Sequence, residues 1–294
     1  MSDSIKRGTT DGEIGHKRTA LRTTHTTRTL RGALRAGAVV ALASAAALAL
    51  TGCSTMETTS PSEARAHPVA NPDTGDGPGA HGKGLGDKGS PVDCRKAKCI
   101  ALTFDAGPSE HTPRLLKILK KEQVHATFFL LGRRHVDKYP HLVRQMDAEG
   151  HELANHTWTH KILTDEDKGT IREELGRLQD AVYRLTGKRP TLMRPPQGRT
   201  DDEVGKVSKD LGLAQILWST TAKDYKTTDS ALITKRTLDQ AGRDGIILLH
   251  DLYDGTVPAV PGIIKALKKD GYTFVTVPEL LAPGRAEPGE VYKP

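Results

Sequence analysis

Polar residues suited to acid–base and metal chemistry directly follow short apolar runs in this 294-residue sequence. The clearest stretches are TFDAGP (103–108), NHTWTH (155–160) and LLHD (248–251). They contain Asp105, the pair His156 and His160, and His250. Metal-assisted hydrolysis uses a carboxylate base, an imidazole acid and imidazole ligands to a divalent ion. The sequence therefore predicts hydrolytic chemistry, provided that these residues meet in space.

Seven apolar runs of strand length alternate with amphipathic segments over the same region. The runs are 100–104, 126–131, 151–155, 191–194, 213–218, 245–249 and 272–277. Apolar residues from Ile171 to Leu185 recur at steps of four and three, which predicts a helix with one apolar face. Thr112 and Pro113 predict the N-cap and first residue of another helix, ending near residue 122. This alternation predicts an α/β fold in which seven parallel strands and their outer helices form a distorted (β/α)7 barrel.

In parallel βα folds, the loops after the carboxyl ends of the strands surround one mouth. Five of the predicted strands are followed by residues that can do chemistry. These are Asp105, His156 with His160, Arg194, Asp224 and His250. We therefore expect them to converge on one site.

Five motifs carry a family resemblance that covers about residues 95 to 282. TFDAGP, HTWTH, RPPQG, WSTTAKDY and LLHD, in this order and spacing, resemble the motifs of the NodB-type polysaccharide deacetylases, carbohydrate esterase family 4. The resemblance implies the distorted (β/α)7 barrel and a hydrolase that removes acetyl groups from N-acetylglucosamine units. Peptidoglycan is the expected glycan, and chitin oligomers are the alternative. A divalent ion is implied as cofactor, Zn²⁺ in the first place and Co²⁺ in the second.

The resemblance also implies a role for each matching residue. Asp105 corresponds to the base that takes a proton from the attacking water, and Arg194 corresponds to the residue that orients this base. His156 and His160 correspond to the metal ligands. His250 corresponds to the acid that protonates the leaving amine.

Four further positions match the motifs less closely. Asp224 and Tyr225 correspond to the family's Asp-Trp pair, and Asp224 beside His250 is expected to raise the pKa of the imidazole. Leu248 corresponds to a residue of the acetyl pocket. Gln197 stands where the family has Tyr or Phe, but its backbone N–H remains able to serve an oxyanion hole.

The residues alone leave other readings open. Asp105 could cap the helix near Thr112, His250 could be a buried histidine satisfied by Asp251, and Arg194 could lie on the surface of a proline-stiffened turn. A zincin protease is disfavoured, because Thr157 stands where that motif requires Glu beside the first histidine.

Ala106 is the main departure from the family pattern, because the second Asp of TFDDGP is there a metal ligand. Three outcomes follow. The site is weaker but active, another carboxylate such as Glu110 or Asp105 itself is recruited, or the domain is a catalytically silent carbohydrate-binding relic. We expect activity, because the base, the acid, the orienting arginine and both histidines are all retained.

The first 52 residues resemble a bacterial lipoprotein signal. An Arg-rich start precedes an uncharged, Ala-rich run from Ala36 to Gly52, which ends in LTGC. In such signals the cysteine, here Cys53, becomes the lipidated first residue of the mature protein, which predicts the extracellular face of the membrane. A transmembrane anchor is the alternative, but 17 residues fall short of the roughly 20 apolar residues that a span requires.

The rest of the chain divides by composition. Residues 53–92 are rich in Ser, Thr, Pro and Gly and predict a flexible tether, residues 93–283 predict the catalytic domain, and residues 284–294 a loose tail. Cys94 and Cys99 are expected to pair outside the cell. The net charge of +7 lies mostly in the leader, where eight Lys/Arg face three Asp/Glu, so no nucleic-acid partner is implied. We expect a monomer.

Overall fold

Nine parallel strands form one curved sheet in the computed structural model, which describes residues 57–67 and 92–294. The strands are β1 Lys98–Asp105, β2 Thr127–Leu130, β3 Glu152–Asn155, β4 Leu192–Met193, β5 Ala214–Ile216, β6 Thr220–Thr221, β7 Gly245–His250, β8 Tyr272–Val275 and β9 Val291–Tyr292. The predicted leader and Cys53 lie outside the described residues. No helix of the described part is long and apolar enough to cross a membrane.

The strand order is β6-β7-β1-β2-β3-β4-β5-β9, with β8 also paired to β1, and the sheet curls into an open barrel. One edge of β1 pairs with β7 from Ile100 to Asp105. The other edge is shared: β8 pairs with its first half and β2 with its last three residues. Every strand is parallel to its neighbours, so the carboxyl ends of the strands meet at one mouth.

Eight helices accompany the strands within the described residues. They are α1 Pro61–Ala66, α2 Thr112–Glu122, α3 Pro140–Ala148, α4 Lys168–Thr186, α5 Asp202–Asp210, α6 Ser230–Gln240, α7 Thr256–Lys269 and α8 Val277–Leu281. Most of them cover the outer face of the sheet, and their apolar stripes pack on strand residues such as Leu102, Phe104 and Phe128. Burial of these stripes is the main stabilising term for the barrel and holds the loops at the mouth in place.

The predicted fold class is confirmed, and each of the seven predicted strands is present. The two strands that the pattern missed, β6 and β9, are only two residues long, too short to show an alternation. The start of α2 was predicted one residue late. His111 occupies the N-cap position, while the Thr112 hydroxyl accepts the Ser109 N–H.

Two segments predicted to be loose are in fact packed on the domain. In the predicted tether, Thr59 bridges to Tyr292, and Ser60 and Glu63 form a capping box at the start of α1. In the predicted tail, β9 pairs with β5. Both segments are polar in composition, but paired backbone and a few buried side chains order them.

A buried ion pair fastens α1 to the barrel. Arg65 is 6% exposed, and its guanidinium donates to the Asp244 carboxylate at 2.6 Å and to the Leu280 carbonyl at 2.7 Å. A segment that lies before residue 68 is therefore attached to the residue that precedes β7 and to α8. Close to β1, Cys94 and Cys99 form a disulfide that closes a short loop at the entry to the barrel.

We expect Arg65→Ala to lower the free energy of unfolding by about 2 kcal/mol, because it removes two hydrogen bonds of a buried guanidinium and leaves the Asp244 carboxylate with only the more distant Arg243, at 3.8 Å, as an ion-pair partner. Arg172→Ala is the matched control, since Arg172 forms an exposed pair with Asp210 and its loss should cost less than about 1 kcal/mol. Urea unfolding followed by circular dichroism measures both. Equal, small effects would mean that the amino-terminal segment does not stabilise the domain.

Candidate active site

The register of the two central strands brings the predicted base and the predicted acid side by side. Asp105 and His250 are Cα partners at the ends of β1 and β7. Thr103 and Leu248 are partners two residues earlier, so all four side chains point to the same face. Leu248 is buried beneath His250 and forms an apolar floor.

Arg194 fixes the carboxylate of Asp105 from below. Its side chain is fully buried, and Nη1 donates to Asp105 Oδ1 at 2.7 Å and to Thr103 Oγ1 at 2.8 Å. Nε donates to the Ile216 carbonyl at 3.0 Å, and the guanidinium lies 3.9 Å from the centre of the Phe129 ring. Arg194 therefore lies inside the barrel rather than on a surface turn, and it leaves Oδ2 of Asp105 free to face the mouth.

His156 presents one ring nitrogen to the same space. Nδ1 lies 2.8 Å from the Arg194 carbonyl oxygen, to which it must donate, so Nε2 carries the lone pair. Nε2 lies 4.0 Å from Asp105 Oδ2. Burial lowers the pKa of His156 to about 4, so the imidazole is neutral at ordinary pH. A neutral imidazole with its second nitrogen hydrogen-bonded to a carbonyl is the form that binds metal ions.

His160 stands beside His156 at the rim, with the ring centres 4.9 Å apart. Its backbone is left-handed (φ 66°), and its N–H donates to the Thr157 hydroxyl at 2.9 Å. Two histidines at i and i+4 can reach one ion only if the segment between them forms a turn. That turn is present, and the Thr157 hydroxyl closes it.

The acid has its own carboxylate partner. Both oxygens of the buried Asp224 engage His250: Oδ1 lies 2.8 Å from Nδ1, and Oδ2 accepts the backbone N–H at 2.7 Å. Oδ2 also accepts the Thr256 hydroxyl at 2.8 Å. Burial opposes protonation of the ring, but the hydrogen bond and charge of Asp224 outweigh it, and the pKa of His250 is raised. Nε2 is left as the proton donor toward the mouth.

Asp251 does not hydrogen-bond to His250, contrary to the alternative in which His250 is a buried histidine paired with Asp251. Its buried carboxyl accepts the Thr112 hydroxyl instead, and its other oxygen, Oδ1, has no partner among the described residues. A Cβ on Gly107 would lie 2.3 Å from Oδ1, so glycine is required where the turn after Asp105 passes over this carboxyl. Burial raises the pKa of Asp251 to about 6. Asp251 therefore stabilises the turn that follows Asp105.

Left-handed backbone is concentrated around the mouth. Eight non-glycine residues of the described part have positive φ, and six of them lie in loops that follow strands. The six are Ala106, Arg134, Thr157, His160, Gln197 and Lys223. Such conformations are costly for residues with a Cβ and persist where the surrounding structure imposes them, which is common at functional sites.

Gln197 and Tyr225 both lie in loops that follow strands. Gln197 has φ 59° and an exposed side chain, and its N–H meets no acceptor within the described chain, so this donor is available to a ligand. Tyr225 is 48% exposed, and its ring centre lies 6.1 Å from that of His250. Together with Tyr253, which sequence reasoning missed, it lines an open cleft beside the acid.

The two imidazoles suit a divalent transition-metal ion, but the third residue of the expected ligand set is Ala106, whose methyl group cannot coordinate. Ala106 has φ 63° and is buried directly after Asp105. Within residues 57–67 and 92–294, no three His, Cys, Asp or Glu side chains already converge as ligands. Glu110, which the sequence offers as a replacement carboxylate, is exposed.

Comparison with known proteins shows which family the chain resembles. The family model for polysaccharide deacetylases matches residues 93–216. A peptidoglycan-N-acetylglucosamine deacetylase of Bacillus cereus is 37% identical over 192 residues, which are 63% of this chain and 88% of that protein. The chain belongs to the polysaccharide deacetylase family.

Two further comparisons define the extent of the likeness. The peptidoglycan-N-acetylglucosamine deacetylase PgdA of Listeria monocytogenes is 39% identical over 62% of this chain, but the match spans only 39% of PgdA. A solved structure of the T48 deacetylase with substrate superposes with a TM-score of 0.66 at 36% identity, over 68% of this chain and 99% of that one. The shared part is thus the barrel and its loops.

Asp224→Asn should lower the pKa of His250, because the neutral amide no longer stabilises the imidazolium. An NMR titration of the His250 Cε1–H signal measures the shift without any substrate. The control is Asp254→Asn, since Asp254 lies in the same cleft but pairs with His111. If both variants titrate like the parent protein, the Asp224 carboxylate does not set the protonation of the acid.

Proposed function

We propose that this chain is a metal-dependent hydrolase that removes N-acetyl groups from N-acetylglucosamine-containing polysaccharide, with peptidoglycan as the substrate. One observation carries the proposal: a buried, Arg-fixed carboxylate, two imidazoles and a carboxylate-paired imidazole face one mouth. A relic that only binds sugar has no physical need for both the Arg194–Asp105 and the Asp224–His250 pair.

The residues divide the reaction between a base side and an acid side. Asp105, with Oδ2 free, accepts a proton from a water molecule as that water attacks the acetyl carbonyl carbon. The N–H of Gln197 donates to the oxygen on which negative charge develops. His250 then gives its proton to the nitrogen as the C–N bond breaks, so that acetate and a free amino sugar result. A divalent ion on His156 and His160, in the first place Zn²⁺, would supply Lewis acidity to the carbonyl and to the water.

Substrate class follows from the relatives and from the shape of the site. Relatives that match over most of their length act on peptidoglycan according to their names, which favours N-acetylglucosamine in the cell wall. The cleft beside His250 is open and lined by Tyr225 and Tyr253, which suits stacking against sugar rings. Chito-oligosaccharides remain the alternative substrate, because they carry the same acetamide group.

We also propose that Cys53 is lipidated and that the enzyme works at the outer face of the membrane. Support comes from the LTGC stretch and from the short path between Cys53 and the domain. Because Thr59 is already bridged to Tyr292, six residue steps separate the anchor from the barrel. Such a path reaches at most about 20 Å, so the domain would lie close to the membrane rather than at the end of a long spacer.

A catalytically silent carbohydrate-binding domain is the second candidate, and Ala106 is the observation that favours it. Acetate release separates the two. Purified protein, stripped of metal and then supplied with Zn²⁺ or Co²⁺, should release acetate from peptidoglycan and from chito-oligosaccharides. Retained glycan binding without acetate release under either metal would establish the silent domain.

Single substitutions should separate the acid from the metal ligands. His250→Ala should reduce kcat by about 100-fold or more while the bound metal stays near the parent level, because this ring acts on the leaving nitrogen. His156→Ala should lose metal and activity together. Metal content from atomic emission and kcat from acetate release provide the two readouts. Full activity in both variants would place the reaction elsewhere.

A further inference from the structure

Residues 155–160, the histidine turn, carry both candidate ligand histidines and are held in shape by side-chain contacts. Asn155 Oδ1 accepts the Thr157 N–H at 2.8 Å, and the Thr157 hydroxyl accepts the His160 N–H at 2.9 Å. Thr157 and His160 have φ 72° and 66°. Left-handed backbone is costly for residues with a Cβ and persists only where surrounding contacts impose it. The shape of the histidine turn therefore depends on its hydrogen bonds.

One further contact to this turn comes from a carboxylate on another element. The N–H and the hydroxyl of Thr159 donate to Oε2 and Oε1 of Glu174, at 2.7 and 2.6 Å. A carboxylate offers two acceptor oxygens, so it matches both donors of this threonine. The contact fixes the backbone and the side chain of Thr159 together. Because Thr159 directly precedes His160, Glu174 binds the turn beside the second histidine.

Glu174 lies on α4, at a position where packing alone would favour an apolar side chain. It falls between Ile171 and Leu178 in the apolar stripe of the helix, and it is 6% exposed. Removal of a carboxyl group from water costs free energy unless hydrogen bonds replace its hydration. An apolar residue would fill the position without this cost. Packing of α4 therefore does not account for the glutamate, whereas its contact with Thr159 does.

The same helix also holds the start of the histidine turn. Asn155 Nδ2 donates to the carbonyl of Leu175, the residue after Glu174, at 2.8 Å. Two consecutive residues of α4 thus bind both ends of the turn. The His156 ring is fixed separately, through the hydrogen bond of its own Nδ1. The position of the His160 ring, whose centre lies 4.9 Å from that of His156, follows from the backbone that α4 holds.

We propose that Glu174 is a positioning residue for the candidate active site. By holding Thr159, it keeps His160 in its left-handed conformation and so keeps the two imidazoles side by side at the mouth. Glu174 acts through Thr159 and is not itself a ligand. This inference rests on the proposed function only in taking the imidazole pair as a metal site.

Nuclear magnetic resonance of the metal-free, full-length chain tests the ring positions directly. The ring protons of His156 and His160 should show a nuclear Overhauser effect, since the ring centres are 4.9 Å apart. Glu174→Ala should abolish this signal, because the released turn relaxes away from its left-handed backbone. Glu174→Gln should retain it, since the amide oxygen accepts the Thr159 N–H and the amide nitrogen can donate to the hydroxyl. Glu173→Ala is the matched control, because Glu173 is the exposed neighbour on α4.

The same variants are compared for Zn²⁺ affinity by competition with a chromophoric chelator. Glu174→Ala should weaken binding by about 10- to 100-fold, the range observed for residues that orient metal-binding histidines. Glu174→Gln and Glu173→Ala should stay close to the parent protein. Thermal unfolding of each metal-free variant sets the assay temperature well below its Tm. A glutamate that only stabilised α4 would lower the Tm and leave both the Overhauser effect and the affinity unchanged.

Thr159→Val tests the other side of the contact. It removes the hydroxyl that donates to Oε1 and leaves the backbone N–H in place. The Zn²⁺ affinity should fall in the parent background but not further in the Glu174→Ala background, because both changes break the same contact. Equal losses in the two backgrounds would overturn the inference. Should Glu174→Ala not fold, Thr159→Val alone decides, and parent-like affinity with a retained Overhauser effect would reject the role.

The remaining outcomes separate this inference from the proposed function. A retained Overhauser effect with parent-like affinity in folded Glu174→Ala would overturn the positioning role, and so would absence of the signal from the parent protein. Acetate release by the parent protein tests the proposed function by itself. Release together with a parent-like Glu174→Ala would reject the positioning role alone. Loss of the signal in Glu174→Ala, without acetate release by the parent, would reject the proposed function alone.

Discussion

The ion pair between Arg194 and Asp105 is the interaction on which the site depends. Both side chains are almost completely inaccessible to water, 0% and 3% exposed. A buried charge is tolerated only when it is paired and its remaining hydrogen-bonding capacity is used. Arg194 meets this condition through the Thr103 hydroxyl and the Ile216 carbonyl as well as through Asp105. One side chain thus connects the ends of β1, β4 and β5 across the inside of the barrel.

This connection explains why the carboxylate is both rigid and available. Oδ1 is engaged by the guanidinium, so the plane and direction of the carboxylate are set, while Oδ2 faces the mouth. The carbonyl of the same arginine residue accepts Nδ1–H of His156. The side chain of Arg194 therefore orients Asp105, and its backbone carbonyl orients His156.

The sequence predicted most of the barrel because its physical signals are strong. Apolar runs of four or more residues alternate with amphipathic segments, and the rule that sites follow strand ends then places Asp105, Arg194 and His250 at one mouth. Period-two alternation also predicts that Thr103 lies on the same face of β1 as Asp105. Residues 57–67, which pack on the domain, also contain a helix-start signal, the capping box of Ser60 and Glu63. Their polar composition favoured a flexible tether instead.

Other features of the site had no local signal. Arg134 and Lys223 have left-handed backbone without the Gly or Asn that would announce it, because tertiary contacts impose the conformation. The contact of Asp251 with Thr112 joins residues 139 positions apart, and only the β1–β7 register brings them together.

The geometry of Asp105 also bears on where a third ligand can come from. Two ligands about 2.1 Å from one ion in a tetrahedral arrangement lie about 3.4 Å apart, and Asp105 Oδ2 lies 4.0 Å from His156 Nε2. A small shift would let Oδ2 coordinate, but a bound cation would favour the ionised carboxylate and make Asp105 a weaker acceptor for a proton from the attacking water. Two other buried carboxyl groups lie close by. Asp224 is engaged by His250 and Thr256, and Asp251 accepts the Thr112 hydroxyl through Oδ2, while its Oδ1 has no partner among the described residues. If Asp105 acts as the base, it does so best with Oδ2 left free, which is how its contact with Arg194 leaves it.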